Sequence, residues 1–152
     1  MREDKRLNIA KRQLALAQIA RREARFALAN ALAEEERSGQ IHARAQDLLN
    51  EYTKRASQGD ASLLSQTLQA NLTFVRSLQV MAEDAQGAHS DAKDQAQWQM
   101  RALAAAETRM DTHEGRVTDE KRAMADLKSR RDIPPELAGL VGLARKLQNP
   151  KR

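Results

Sequence analysis

The chain has no cysteine, three prolines and six glycines in 152 residues, and its only aromatic side chains are Phe26, Tyr52, Phe74 and Trp98. Each shortage excludes something. Without cysteine there is neither a disulfide framework nor a thiolate metal site. So few aromatic rings are too little to fill a deep compact core, although a narrow seam between helices needs only small and medium apolar groups. The scarcity of helix breakers leaves long stretches free to run as helix. No stretch approaches the ~20 apolar residues of a membrane span. The opening Met-Arg-Glu-Asp-Lys-Arg carries no apolar signal core, so a soluble, cytoplasmic protein is expected.

What is present is alanine, leucine and charge. Charged residues make up 31% of the chain, and the net charge is +5. This mix is that of long helices or a coiled coil. Basic residues gather at the N-terminus (Arg2, Lys5, Arg6, Lys11, Arg12, Arg21, Arg22, Arg25) and again from Lys121 to Arg131. Such a balance favours an acidic protein surface, a nucleic acid or an anionic lipid as partner.

Every seventh residue from Ala10 reads Ala10, Ala17, Ala24, Ala31, Ser38, Ala45, Tyr52, and the column three residues earlier reads Leu7, Leu14, Arg21, Leu28, Glu35, His42, Leu49. A small-residue column beside a leucine column is a heptad seam that admits a partner helix closely. It weakens at Arg21 and Glu35 and fades around Glu34 to Gly39. After Gly59-Asp60 a second run reads Leu68, Val75, Ala82, His89, Ala96, Leu103, Met110, Val117, Met124, with a companion column Asn71, Leu78, Ala85, Ala92, Gln99, Ala106, His113, Glu120, Leu127. A sustained seven-residue repeat implies a left-handed supercoil.

The predicted fold is all-α: a long two-helix antiparallel coiled-coil hairpin over 1–131, with a helix at about 4–56, a bend at 57–61 and a second helix at about 62–131. The helices should be about 80 and 105 Å long. A bend centred near residue 59 sets residue i against about residue 118 minus i, so that Tyr52 faces Gln66, Ala31 faces Gly87 and Ala10 faces Thr108. The second helix then overhangs beyond Gly115, and the apolar stripe Val117, Met124, Leu127 lacks a partner within the hairpin. Asp132-Ile133-Pro134-Pro135 ends that helix. The tail 132–152 is expected to be a short helix, with Leu137, Leu140, Val141, Ala144 and Leu147 on one face, or disordered.

Little catalytic chemistry is legible. His42, His89 and His113 fall in seam columns, far apart in the predicted register, as polar residues tolerated in a coiled coil. Phosphate loops, H-E-x-x-H and nucleophile elbows are missing from the sequence, and Glu34-Glu35-Glu36 reads as a solvated face. The chain is expected to be non-enzymatic, with no cofactor and no metal. Acidic residues interrupt the basic ones and aromatic interleaving is lacking, so nucleic acid is not the expected partner. Ile9, Leu16, Ile19, Phe26 and Trp98 lie outside the seam. Either they mark a partner surface, or drift of about 20° per heptad carries them into the core.

The phrases around the bend are more specific: leucines, Glu51-Tyr52, a basic residue, a short glycine-containing bend, Leu64, Gln66-Thr67-Leu68, Leu72-Thr73 and Arg76. Over about residues 41–76 this order resembles the FliJ family, coiled-coil proteins of the bacterial flagellar export apparatus related to the YscO-type stalk proteins of injectisomes. Length, basic character and hairpin layout agree across most of the chain. The resemblance implies a stalk that associates through its terminal end with a hexameric export ATPase (FliI-like). Near its bend the stalk binds the cytoplasmic domain of the export-gate membrane protein (FlhA-like), and some members also bind export chaperones. Carried onto this sequence, the gate surface is Ile41, Ala45, Leu48, Tyr52, Leu64, Leu68, Asn71 and Val75. Ile41, Ala45, Leu48 and Val75 depart from the polar or aromatic groups expected there. By position alone, the ATPase-ring contact falls on Arg6, Ile9, Arg12, Leu16, Ile19, Val117, Met124 and Leu127. The location implied is cytoplasmic and peripheral, at the inner-membrane export apparatus. Two other classes stay open: a structural coiled coil that self-associates through Val117–Leu127, and a basic nucleic-acid-binding coiled coil.

Overall fold

The computed structural model describes residues 2–58, 65–132, 139 and 142–144. Two helices, α1 (Arg2–Gln58) and α2 (Ser65–Arg131), account for nearly all of them, and no strand occurs among the described residues. They pack against each other as an all-α hairpin, as the two heptad columns require. The bend itself, Leu64 and most of the tail face (Leu137, Leu140, Val141, Leu147) lie outside the described residues, while Ala144 is exposed.

Local chemistry explains the helix ends. Glu3 and Asp4 sit in the first turn of α1, where carboxylates complement the positive end of the helix dipole, and Lys128, Arg130 and Arg131 sit in the last turn of α2, where cations complement the negative end. The Asp132 N–H donates to the Lys128 carbonyl at 3.0 Å, closing the final turn before the Pro134-Pro135 stop. Within α2, hydroxyls of Thr73, Ser77, Thr112 and Thr118 bond back to carbonyls four residues earlier, so they add no unsatisfied group to the helix surface.

Contacts divide the chain into two units, Met1–Ile19 with Glu107–Arg152, and Ala20–Ala106. Within each, the heptad columns are the packed face. Every column residue of α1 from Leu7 to Tyr52 and of α2 from Val75 to Leu127 is buried or half-buried, and Ile9, Leu16, Ile19, Phe26 and Trp98 are exposed. The alternative in which drift folds these five into the core is therefore not realised. A strict seven-residue repeat keeps one face inward over many turns.

The register differs from expectation. In the Ala20–Ala106 unit Ser38 meets His89 and Tyr52 meets Phe74, so the partner of residue i is near residue 127 minus i, not 118 minus i. Tyr52 consequently faces Phe74 and Val75 instead of Gln66. In the other unit, Arg6, Ile9, Ala10 and Gln13 line a groove with Arg116, Asp119 and Glu120, which sets Ala10 in the region of Val117 and not of Thr108.

The same shift removes most of the overhang. Val117 is only 7% exposed, and Met124 and Leu127 are half-buried, lining a groove with Glu3 and Asp4 of α1. The stripe predicted to be unpartnered is seam, covered by the N-terminal turns of the same chain. Leaving those apolar groups in water would forfeit roughly 25 cal/mol per Å² of buried apolar surface, which is what favours the longer pairing.

The stretch from Glu34 to Gly39, where the heptad columns weaken, is also packed. Ser38 is buried; its hydroxyl donates to the Glu35 carbonyl at 3.0 Å and lies 3.3 Å from His89 Nδ1. A Cβ on Gly39 would stand 3.1 Å from His89 Cε1. Two small residues make the hole, and an imidazole on the opposite helix fills it. His42 completes this polar layer with its ring stacked on His89, centroids 6.2 Å apart. The expectation that the histidines lie far apart holds for neither of these two, because the register that sets Ser38 on His89 also brings His42 alongside.

Candidate interaction surface

Near the bend, the Tyr52 and Phe74 rings meet edge to face, with centroids 4.9 Å apart. Half of the aromatic residues of the chain are thus in one contact. Edge-to-face geometry sets the positive ring edge against the negative face, worth about 0.5–1.5 kcal/mol beyond the area buried. The Arg55 guanidinium lies 5.3 Å from the Tyr52 centroid and is also paired with the Glu51 carboxylate. Tyr52, Arg55, Ala56, Asn71, Phe74 and Val75 enclose a groove of about 150 Å³.

The residues assigned to gate binding divide between two environments. Ala45, Tyr52 and Val75 are half-buried seam positions, whereas Ile41, Leu48, Leu68 and Asn71 are exposed. Leu64 lies outside the described residues. Phe74 and Met81 were missed by sequence reasoning, though both are large, apolar and half-exposed. Their signal was present: each stands one residue before a seam position of α2, as Ile41 and Leu48 do on α1. The expected register lies about nine residues, or two and a half turns, from the observed one, and does not bring the four together.

The residues assigned to the ATPase ring divide similarly. Arg6, Ile9, Arg12, Leu16 and Ile19 are exposed on α1, while Val117, Met124 and Leu127 are committed to the seam. Ile9, Leu16 and Ile19 are each more than half exposed, and Arg6 and Ile9 also border the groove that α1 forms with Arg116, Asp119 and Glu120 of α2. His113 Nδ1, in the same unit, is buried without a hydrogen-bond partner. Such an atom carries a desolvation cost of about 1–3 kcal/mol.

Among the described residues no group of three or more His, Cys, Asp or Glu is placed to hold a metal, and no helix is long and apolar enough to cross a membrane. What the surface offers is apolar and aromatic contact area bordered by charge, which is the composition of a protein-binding face. No protein-family model, curated protein or solved structure matches the chain.

Proposed function

We propose that this chain is a non-enzymatic stalk or coupling protein of a type III protein export apparatus, of the kind that serves flagellum biogenesis. Its bend-proximal surface binds the cytoplasmic domain of an export-gate membrane protein. The exposed residues of α1 near its N-terminus (Arg6, Ile9, Arg12, Leu16, Ile19) bind the hexameric export ATPase, with export chaperones as further partners. In this reading the protein works in the cytoplasm, peripheral to the inner-membrane export apparatus.

The observation that carries the reading is the Tyr52–Phe74 pair together with exposed Ile41, Leu48 and Leu68 in the segment whose sequence resembles the FliJ family. Large apolar groups left exposed beside a rigid aromatic anchor are the usual composition of an interface hot spot. Val117, Met124 and Leu127 drop out of the ring contact because the seam occupies them.

The test is ATP hydrolysis by the cognate export ATPase with and without this protein, together with binding of the gate domain. Stimulated turnover is expected, lost in Leu16→Asp/Ile19→Asp. Tyr52→Ala and Phe74→Ala should each weaken gate binding by about tenfold, the effect of losing one aromatic anchor, and leave ATPase stimulation intact. Unchanged turnover at micromolar excess, with no gate binding, would rule this function out.

A further inference from the structure

One flank of the Ala20–Ala106 unit joins exposed apolar residues from both helices. Ile41 and Leu48 stand one residue before the seam positions His42 and Leu49, and Phe74 and Met81 stand one residue before Val75 and Ala82. When two helices pair antiparallel, positions that immediately precede the seam on each lie on the same side of the pair, since reversing one helix exchanges its two flanks. The register then orders them Phe74, Leu48, Met81, Ile41, alternating between helices over roughly 18 Å at 1.5 Å per residue. All four are between 39% and 59% exposed. The corresponding next positions are Glu34 and Ala88, which close the patch.

Charge borders this patch asymmetrically. On the α1 edge stand Arg37, Arg44 and, one heptad on, Glu51, whose carboxylate is paired with Arg55; on the α2 edge stand Ser77, Asp84 and Asp91, all exposed. The register sets Arg44 level with Asp84 and Arg37 level with Asp91, across the patch from each other. Among the described residues Arg44, Asp84 and Asp91 make no hydrogen bond or ion pair, and Arg37 has only its exposed pair with Glu34 at 3.2 Å. The flank is therefore an apolar strip with a basic margin and an acidic margin. A polyanion would meet two repelling carboxylates there. A surface with the mirror arrangement of charge is what fits, and the chain itself supplies one.

We propose that this flank is a self-association surface. Two copies pack flank to flank and parallel, about a twofold axis running along the helices, so that α1 of each copy lies against α2 of the other. The Phe74, Leu48, Met81 and Ile41 strips bury one another. Arg44 and Arg37 of each copy reach Asp84 and Asp91 of its mate. The charges select this orientation: antiparallel packing would set the arginine margins together and the aspartate margins together. The interface falls at the small end of specific protein contacts, below about 1,200 Å² in total, and association in the range of about 10–100 µM is expected. Ile41, Leu48 and Phe74 are shared with the proposed gate surface, so a dimer and a gate-bound monomer exclude each other.

The experiment is the mass of the full chain against concentration by analytical ultracentrifugation, from about 1 to about 200 µM at low and at high salt. A salt-sensitive dimer is expected, and Met81→Lys should raise its dissociation constant at least about tenfold. Two further variants fix the geometry: Arg37→Asp/Arg44→Asp has only acidic margins, and Asp84→Arg/Asp91→Arg only basic ones. Each alone should be monomeric, and their equimolar mixture should restore a heterodimer. These positions are exposed, so helicity by circular dichroism should match the parent chain. A chain that stays monomeric throughout overturns the proposal. So does a dimer indifferent to Met81→Lys, or a mixture that does not associate. None of the charge variants alters Tyr52, Leu68, Asn71 or Val75, so gate binding by the monomeric variants tests the export reading independently.

Discussion

At the scale of single residues, the polar layer of Ser38, Gly39, His42 and His89 shows how a small side chain can be specified by a residue far along the chain. Removing a glycine from a helix interior ordinarily gains about 1 kcal/mol. A Cβ at Gly87 or Gly115 would meet nothing within 4 Å beyond its chain neighbours and the surrounding helical backbone, and neither has a positive φ. Alanine at either should therefore stabilise the protein by about 1 kcal/mol in urea unfolding. At Gly39 the new Cβ meets the His89 ring, which has His42 on one face and the Ser38 hydroxyl at Nδ1. Gly39→Ala should gain nothing or destabilise, and should recover the full gain of about 1 kcal/mol in a His89→Ala background, a coupling that a double-mutant cycle reads directly. An equal gain at Gly39 and Gly87 would mean that the imidazole yields freely. The sequence showed Ser38-Gly39 only as a weak point in the seam. Its complement, His89, lies 51 residues away, and nothing local announces that match.

At the scale of elements, the helices and their inward faces were legible because both follow from period alone. Leucine and alanine favour helix, and their seven-residue spacing selects one stripe. Leu72 and Leu78 test this. They differ little as residues, yet Leu78 is buried and Leu72 is 56% exposed. Leu78→Ala should cost about 2–3 kcal/mol, toward the lower end for a core leucine because a two-helix seam is open on both sides. Leu72→Ala should cost less than about 0.5 kcal/mol. Thermal or urea unfolding of the two variants measures the difference, and similar losses would mean that the stripe is misassigned. The surface near the bend was half legible. Ile41, Leu48 and Tyr52 could be named from one helix and the family resemblance, but Phe74 and Met81 join them only through pairing with the other.

At the scale of the whole molecule, the seam pattern restricts the pairing of α1 with α2 to steps of one heptad. The expected register is close to one allowed step, and the observed register is the next. Introduced cysteine pairs read out which one is populated, with no native thiol to compete. Ala31→Cys with Ala96→Cys, at two of the most buried positions, should form a disulfide under mild oxidation. Ala31→Cys with His89→Cys, about one heptad away (some 10 Å along the axis), should not, because a disulfide needs Cα atoms within about 7 Å. The reverse result would restore the shorter register and, with it, the free Val117–Leu127 stripe.

The sequence by itself therefore determined that this is a helical hairpin, which face of each helix is buried and, modulo seven residues, how the two can meet. These follow from composition and period, which any short window of the chain carries. Only the tertiary structure decided which heptad step is taken, and hence that Val117, Met124 and Leu127 belong to the seam, that His42 and His89 are neighbours, and that Ile41, Leu48, Phe74 and Met81 share one flank. The physical reason is that adjacent steps present nearly equivalent seams. Particular fits, an imidazole into the space left by Ser38 and Gly39 and an N-terminal segment over an otherwise bare apolar stripe, settle the choice between them.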